Sequence, residues 1–442
     1  MHKTIAQRIL RRGFWPSGSM LGVSVLAAGL ALAPAIRADE VTDWTHNMLR
    51  AALVAKTSPM VTSRVAALVQ TAVFDAVNGI KRQYEPIHVP ANAPRGASPE
   101  AAVAQAAYTI LVDLFPAQKP DFDAELAASL AALMDTEEAD SILSGVAWGQ
   151  SVADAIWTWR STDGFTPAPP PFLGGSAVGQ WRPTPPAFAP GAVPQFATMT
   201  PWGIQSPSQF RPGGPPSLTS DRWAADFNET QSMGSISSTL RTDDGTLLSK
   251  FWNASTVTYY WNTVALSLLA RQDCSLLQNA RLLALLNIAI ADGVIACWDA
   301  KYYYVAWRPV TAIPLGDTDG NAATLADLTW LPLLITPAHP EYPSGHSTTS
   351  GAAATVLASF FGENTSFTID SDVLLGVTRS FQSFSDVQDE IANARIFGGI
   401  HFRSACNDGR ATGAQVANYV LTHTAQRIHG KGLTTLTESV NF

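Results

Sequence analysis

The chain has 442 residues, of which 46% are apolar and 14% charged, with a formal net charge of −8 at neutral pH. So much apolar material with so little charge excludes wholesale disorder, and the acidic balance argues against an electrostatic nucleic-acid binder. Three cysteines (Cys274, Cys297 and Cys406) exclude a disulfide framework, and each reads as a buried free thiol.

Residues 1–38 read as a signal peptide. Lys3, Arg8, Arg11 and Arg12 form a basic head, residues 20–36 an apolar stretch, and small residues follow near Ala33-Pro34-Ala35 and Ala38. Arg11-Arg12-Gly13-Phe14 resembles the start of a twin-arginine signal. Cleavage after Ala38 removes five basic residues and no acidic one, which takes the balance from −8 to −13. An exported acidic protein, periplasmic or secreted, is expected.

Residues 39–163 are expected to be helical. Val65, Leu68, Val69, Ala72, Val73, Ala76 and Val77 recur at the three-and-four spacing of one helix face between 61 and 80. Alanine-rich stretches at 101–114, 122–133 and 140–159 repeat the pattern, with Pro116, Pro120 and the acidic run 135–138 as breaks. Between 164 and 216 prolines and glycines crowd out regular helix. Trp181, Phe188, Phe196, Trp202 and Phe210 are too apolar for a solvated linker, so an ordered passage over the helical body is expected. Helical patterning resumes at 222–240, 246–270, 276–307, 346–361, 373–397 and 411–427. No alternating run demands a sheet. The most apolar stretch, 276–298, carries Gln278, Asn279, Arg281, Asn287 and Asp292, which suits a protein core better than lipid. The expected fold is all-α: two packed helical bundles, 39–163 and 217–442, joined by the proline-rich passage.

Three short stretches in the C-terminal half suit a tetrahedral oxyanion. Lys301 and Arg308 lie seven residues apart, nearly two helical turns, so one face of a helix ending near Pro309 would carry both, with Trp298 a turn earlier. Two cations on an apolar face are costly unless they meet an anion or salt-bridge partners. Pro343-Ser344-Gly345-His346 precedes a small-residue helix, whose N-terminus offers free N–H groups, a hydroxyl and an imidazole. The same tripeptide could simply cap that helix. Arg395 and His401 are separated by Gly398-Gly399, a break that would turn both side chains to one site.

In order and spacing these stretches resemble the signature shared by vanadium-dependent haloperoxidases and the phosphatidic acid phosphatase type 2 superfamily: Lys, six residues, Arg-Pro; then Pro-Ser-Gly-His; then Arg, five residues, His. The motifs span residues 298–401. The resemblance implies that Lys301, Arg308, Ser344, Gly345 and Arg395 hydrogen-bond the oxyanion, vanadate or, in its absence, phosphate. It implies that His401 bonds the central atom and that His346 is the acid–base group, with Lys301 polarising bound peroxide. Hydrogen peroxide and halide would be the substrates; an organic acceptor and a homo-oligomer are compatible with it. After signal cleavage neither a membrane nor a nucleic-acid partner is expected. Trp298 matches a halide-side tryptophan of the fungal chloroperoxidase type, whereas His339 stands where the algal bromoperoxidase type has histidine. Bromide and iodide oxidation is therefore expected ahead of chloride. Ala394 and Ala405 stand where the phosphatases usually carry Ser and Asp, with Asp408 three positions further on. A secreted acid phosphatase forming a phosphohistidine in the same pocket is the alternative, and a non-catalytic oxyanion binder a third reading.

Overall fold

The computed structural model describes residues 39–428; the expected signal peptide, 1–38, lies outside the described residues, as do 429–442. The first helices are α1 (Glu40–Val54), α2 (Pro59–Lys81), α3 (Pro99–Leu114), α4 (Lys119–Leu133) and α5 (Ala139–Arg160). Pro59, Pro99 and Pro120 sit in the first turns of α2, α3 and α4, where a missing N–H costs nothing. Beyond the proline-rich passage come α6 (Asp221–Gly234), α7 (Asp243–Ala254), α8 (Val257–Leu269), α9 (Leu276–Tyr304) and the single turn α10 (Pro309–Ala312). They are followed by α11 (Gly345–Phe361), α12 (Phe384–Phe397) and α13 (Arg403–His423). The architecture is helical, as the sequence predicts.

One apolar core runs from Val41 to Ala425. At its centre α9 packs against α2, α11 and α13, apolar on nearly every side as a fully enclosed helix must be. Its polar residues each find a partner. Gln278 closes a capping box with Ser275, Asn279 donates to Asp39, and Asn287 exchanges amide bonds with Asn262 at 2.8 and 2.9 Å. Asp292 accepts the backbone N–H groups of Trp202, Gly203 and Ile204. Helices α2 and α9 are long and apolar enough to cross a membrane, but 83% and 94% of their apolar windows are buried inside the protein.

The proline-rich passage is ordered against this core. Trp181 and Trp307 donate their backbone N–H groups to Val305 and Gly179, and Ala192 donates to Ala338. Trp181, Phe196 and Trp202 are buried, whereas Phe188 is exposed and Phe210 half-buried.

Several predicted elements need correction. The helix expected at 246–270 is two helices, because Ser255 is extended and the Thr256 side chain caps α8 by accepting from Tyr259 N–H. The stretch 222–240 stops at Gly234, after which Ile236 bonds the Leu331 carbonyl. Within 373–397 only the part from Phe384 is helical. The remainder contributes to a hairpin of β1 (Phe367–Asp370) and β2 (Thr378–Phe381), in register Phe367 to Phe381, and Ser383 caps α12. Helix α13 starts at Arg403 rather than 411 and ends at His423 rather than 427. All three cysteines are free, but Cys274 is only half-buried.

Candidate active site

Helix α9 brings Lys301 into its last turn and then stops earlier than Pro309 implied. Val305 takes a left-handed conformation, φ 52°, and its N–H bonds the Lys301 carbonyl. Arg308 therefore does not share a helix face with Lys301; it is the extended residue ahead of α10. Both side chains nonetheless reach the segment preceding α11. Lys301 Nζ donates to the carbonyls of Pro340 and Glu341 at 2.9 Å and to that of Pro343. Arg308 Nε donates to His339 O at 2.9 Å, and its Nη1 to Ile400 O at 2.6 Å.

Ser344 caps α11, its Oγ accepting from Ser347 N–H at 3.4 Å, so the cap function and a place at the site coexist. A Cβ at Gly345 would come into van der Waals contact with the Trp298 ring at 3.4 Å. Trp298 is buried, donates Nε1–H to Ala192 O at 3.1 Å and lies 5.0 Å from the His339 ring. The glycine pair behaves as predicted: α12 ends at Phe397, Gly399 has φ 71°, and the chain turns so that Arg395 and His401 both approach the Lys301–Arg308 region. Lys301, Arg308, Ser344, Arg395 and His401 are buried, whereas Gly345 and His346 are half-exposed.

The protonation of the histidines follows from their partners. Arg308 Nη1 lies 3.1 Å from His401 Nε2, and a guanidinium can only donate, so Nε2 holds the lone pair. Nδ1 therefore carries the hydrogen and donates it to Glu341 Oε1 at 2.8 Å, which also accepts Phe402 N–H at 3.0 Å. His346 Nε2 lies 3.0 Å from the Trp252 carbonyl, which can only accept, so the hydrogen is on Nε2 and Nδ1 is free. His339 Nδ1 faces Arg308 Nη2 at 2.9 Å. Burial first, and then Arg308, Lys301 or Arg395, hold all three imidazoles well below their ordinary pKa, hence neutral.

The cations pay for the same burial. Lys301 is pushed down to about 8, Arg308 to about 10 and Arg395 to about 9, chiefly by desolvation. Arg395 donates through Nη2 to Asn253 Oδ1 at 3.4 Å, while its buried Nε and Nη1 have no partner. Such a cluster is at its most stable with an anion inside it. Among the described residues no three His, Cys, Asp or Glu side chains gather as a divalent-cation site requires.

Residues 281–430 match the family model described as the VCPO second helical-bundle domain. A bacterial vanadium-dependent iodoperoxidase of known structure superimposes with a TM-score of 0.75 at 26% identity, over 89% of this chain and 98% of that one. The chain is thus similar to vanadium haloperoxidases in sequence over residues 281–430 and in fold over most of its length. A vanadium chloroperoxidase from Curvularia inaequalis is 26% identical over 182 residues; the match covers 30% of this chain and 29% of that relative's length. The apo and holo forms of a bacterial vanadium-dependent chloroperoxidase share the fold, with TM-scores of 0.66 and 0.65 at 17% and 18% identity.

At this site, which is similar in sequence to those of haloperoxidases, Glu341 and Asn253 were missed by sequence reasoning. Glu341 is a lone carboxylate between two Xaa-Pro pairs in an otherwise uncharged stretch, a signal that was available. Asn253 is 142 residues from the arginine it meets and carried none. Asp408 does not approach His401 through any hydrogen bond; it accepts from the Tyr342 hydroxyl at 2.7 Å and pairs with Arg222 at 3.5 Å.

Proposed function

We propose that this chain is an exported vanadate-dependent haloperoxidase that oxidises halide with hydrogen peroxide, bromide and iodide ahead of chloride. The observation that carries the reading is the cradle of Lys301, Arg308 and Arg395, with the Nε and Nη1 nitrogens of Arg395 unpaired, around the imidazole of His401. Vanadate suits that donor set: fixed cations for its oxygens and one neutral nitrogen for its central atom. When bound, it supplies Lewis-acid activation of peroxide.

The chain's own residues do the rest. Lys301, Arg308 and Arg395 hold the oxyanion's charge, and Ser344 and the Gly345 N–H orient it at the start of α11. His401 offers Nε2 once Arg308 Nη1 turns to the oxyanion. His346 keeps Nδ1 free to take a proton from peroxide and return one when the oxidised halide leaves as hypohalous acid. His339, packed on Trp298 and bonded to Arg308, adds a polar wall where phenylalanine would exclude water. The likeness to an iodoperoxidase supports iodide as a substrate.

Vanadium-free chain should show little halide oxidation, orthovanadate should restore it, and excess phosphate should slow the restoration. Halide-dependent peroxide consumption with iodide, bromide and chloride checks this. Activity indifferent to vanadate, or hydrolysis of phosphate esters in its place, would overturn the reading in favour of the acid phosphatase.

A further inference from the structure

Glu341, the partner of His401, also lines a second cavity, of about 180 Å³. Its walls come from Trp223 and Asp226 on α6, Tyr304 and Trp307 around the end of α9, Tyr342 beside Glu341, and Phe402 at the cap of α13. The exposed members of its lining, Pro215 and Ser217, mark its mouth at the end of the proline-rich passage.

Asp226 and Glu341 are the only charged side chains in that lining, and they are 5% and 2% exposed. They repel each other as like charges, and Lys301 and Arg308, the cations nearest Glu341, do not line the cavity. Glu341 Oε1 accepts from His401 Nδ1 and from Phe402 N–H. Oε2 has no hydrogen-bond partner among the described residues, and it is not one of their enclosed unpaired atoms. Oε2 is therefore the oxygen that Glu341 presents to the cavity. The aromatic residues send their polar groups elsewhere. Trp223 Nε1 donates to Asp319, the Tyr304 hydroxyl to Pro212 O and the Tyr342 hydroxyl to Asp408. What these three leave to the cavity is ring surface. Carboxylates set among aromatic rings, with no basic side chain beside them, are complementary to an ammonium ion. An uncharged occupant would leave both buried carboxylates without a counter-charge.

We propose that this cavity binds a small organic ammonium ion, primary or secondary, and that its binding strengthens oxyanion binding at the cradle. The N–H groups reach Glu341 Oε2 and Asp226, while the carbons pack on the rings. The cavity is smaller than a drug-sized site, which limits the occupant to a short amine. The coupling follows from the shared carboxylate. Glu341 stands between the two sites, where its charge repels an oxyanion beside His401, and a cation on Oε2 offsets that charge. By reciprocity the oxyanion raises the affinity for the amine by the same factor. The site would serve a phosphatase equally, so it depends on the oxyanion cradle and not on halide oxidation.

Butylammonium is the probe, titrated calorimetrically into the full chain, with 1-butanol as its uncharged counterpart. Asp226→Asn removes a charge but keeps an amide oxygen for Ser404 N–H, and Ser217→Trp obstructs the mouth from a different element. Each should weaken butylammonium binding by about 10-fold or more. Saturating butylammonium should raise the phosphate affinity of wild type about fivefold or more. Ser217→Trp should keep the phosphate affinity that wild type shows without amine. No butylammonium binding by wild type, undiminished binding in both variants, or 1-butanol binding as tight as butylammonium would overturn the proposal. So would a phosphate affinity that the amine leaves unchanged. A chain that binds no phosphate under any condition loses the oxyanion cradle and the coupling with it, while variant-sensitive butylammonium binding still upholds the cation site.

Discussion

At the scale of single residues, the contact that shapes the chemistry is the one from Glu341 to His401. It places the hydrogen on Nδ1 and leaves Nε2 as the only nitrogen able to bond an oxyanion's central atom. Glu341→Leu removes that partner and strands the Phe402 N–H, so vanadate affinity should fall about 10–100-fold. Glu341→Gln can still accept through its amide oxygen and should lose less; equilibrium vanadate titration of both variants checks the order. Lys301 adds a pH dependence. With its ammonium pushed down to about 8, the ligand-free site loses a cation as pH rises through 8, and phosphate affinity should weaken there. The unfolded chain still holds that proton up to the ordinary lysine value of 10.5, so the native state binds fewer protons between about 8 and 10.5. Lysine 301 therefore makes ligand-free stability rise with pH across that window. Saturating oxyanion, which keeps the ammonium charged, should flatten the rise in thermal melts of wild type relative to Lys301→Met. The motif residues were legible because each must be one residue type at one spacing. The segment 305–307 was not: a left-handed Val305 has no signature, so Arg308 was placed on a helix that had already ended.

Among the elements, the pair α11 and α13 holds the site's geometry. They cross where Gly351 faces the Arg410 backbone and Gly413 faces the Thr348 carbonyl, too close for any Cβ. Thr348 lies in the first turn of α11, four residues after its Ser344 cap and in the same turn as Gly345 and His346. Gly413→Ala must push the helices apart, which should cost about 1–3 kcal/mol in denaturant unfolding and weaken phosphate binding as well. Gly213→Ala, where an added methyl meets open space, serves as the neutral comparison. The helices themselves were legible from their apolar period, because most bury one face or all of it. Their interruptions were not. Ser255 and Thr256 divide what reads as one apolar run, and the β1–β2 hairpin is too short for its alternation to stand out.

Across the whole molecule, two buried aspartates tie irregular chain to the helical core. Asp75 on α2 accepts the N–H groups of Ile87, His88 and Val89, and Asp292 on α9 accepts those of Trp202, Gly203 and Ile204. Asp292→Ala leaves three N–H donors without an acceptor and should cost roughly 2–5 kcal/mol in denaturant unfolding. Faster proteolytic cutting within 164–216 should accompany that loss. The density of proline in this passage was plain in the sequence and its aromatics marked it as ordered. Its destination was not, because the bonds that fix it are backbone groups meeting partners about ninety residues away.

Those bonds also divide the passage into lengths that can change and lengths that cannot. Gly179 and Trp181 are pinned to the turn after α9, Ala192 to Ala338 and to the Trp298 and Tyr302 side chains, and 202–204 to Asp292. A residue added between Ala192 and Trp202 would draw the Ala192 carbonyl off the tryptophan that backs Gly345. The exposed tip around Phe188, residues 185–190, bears none of these anchors except one backbone bond from Phe188 to Thr184. It is there that the chain has room to accept a graft, a reporter peptide or a tether to a surface, while the cradle beneath keeps its shape.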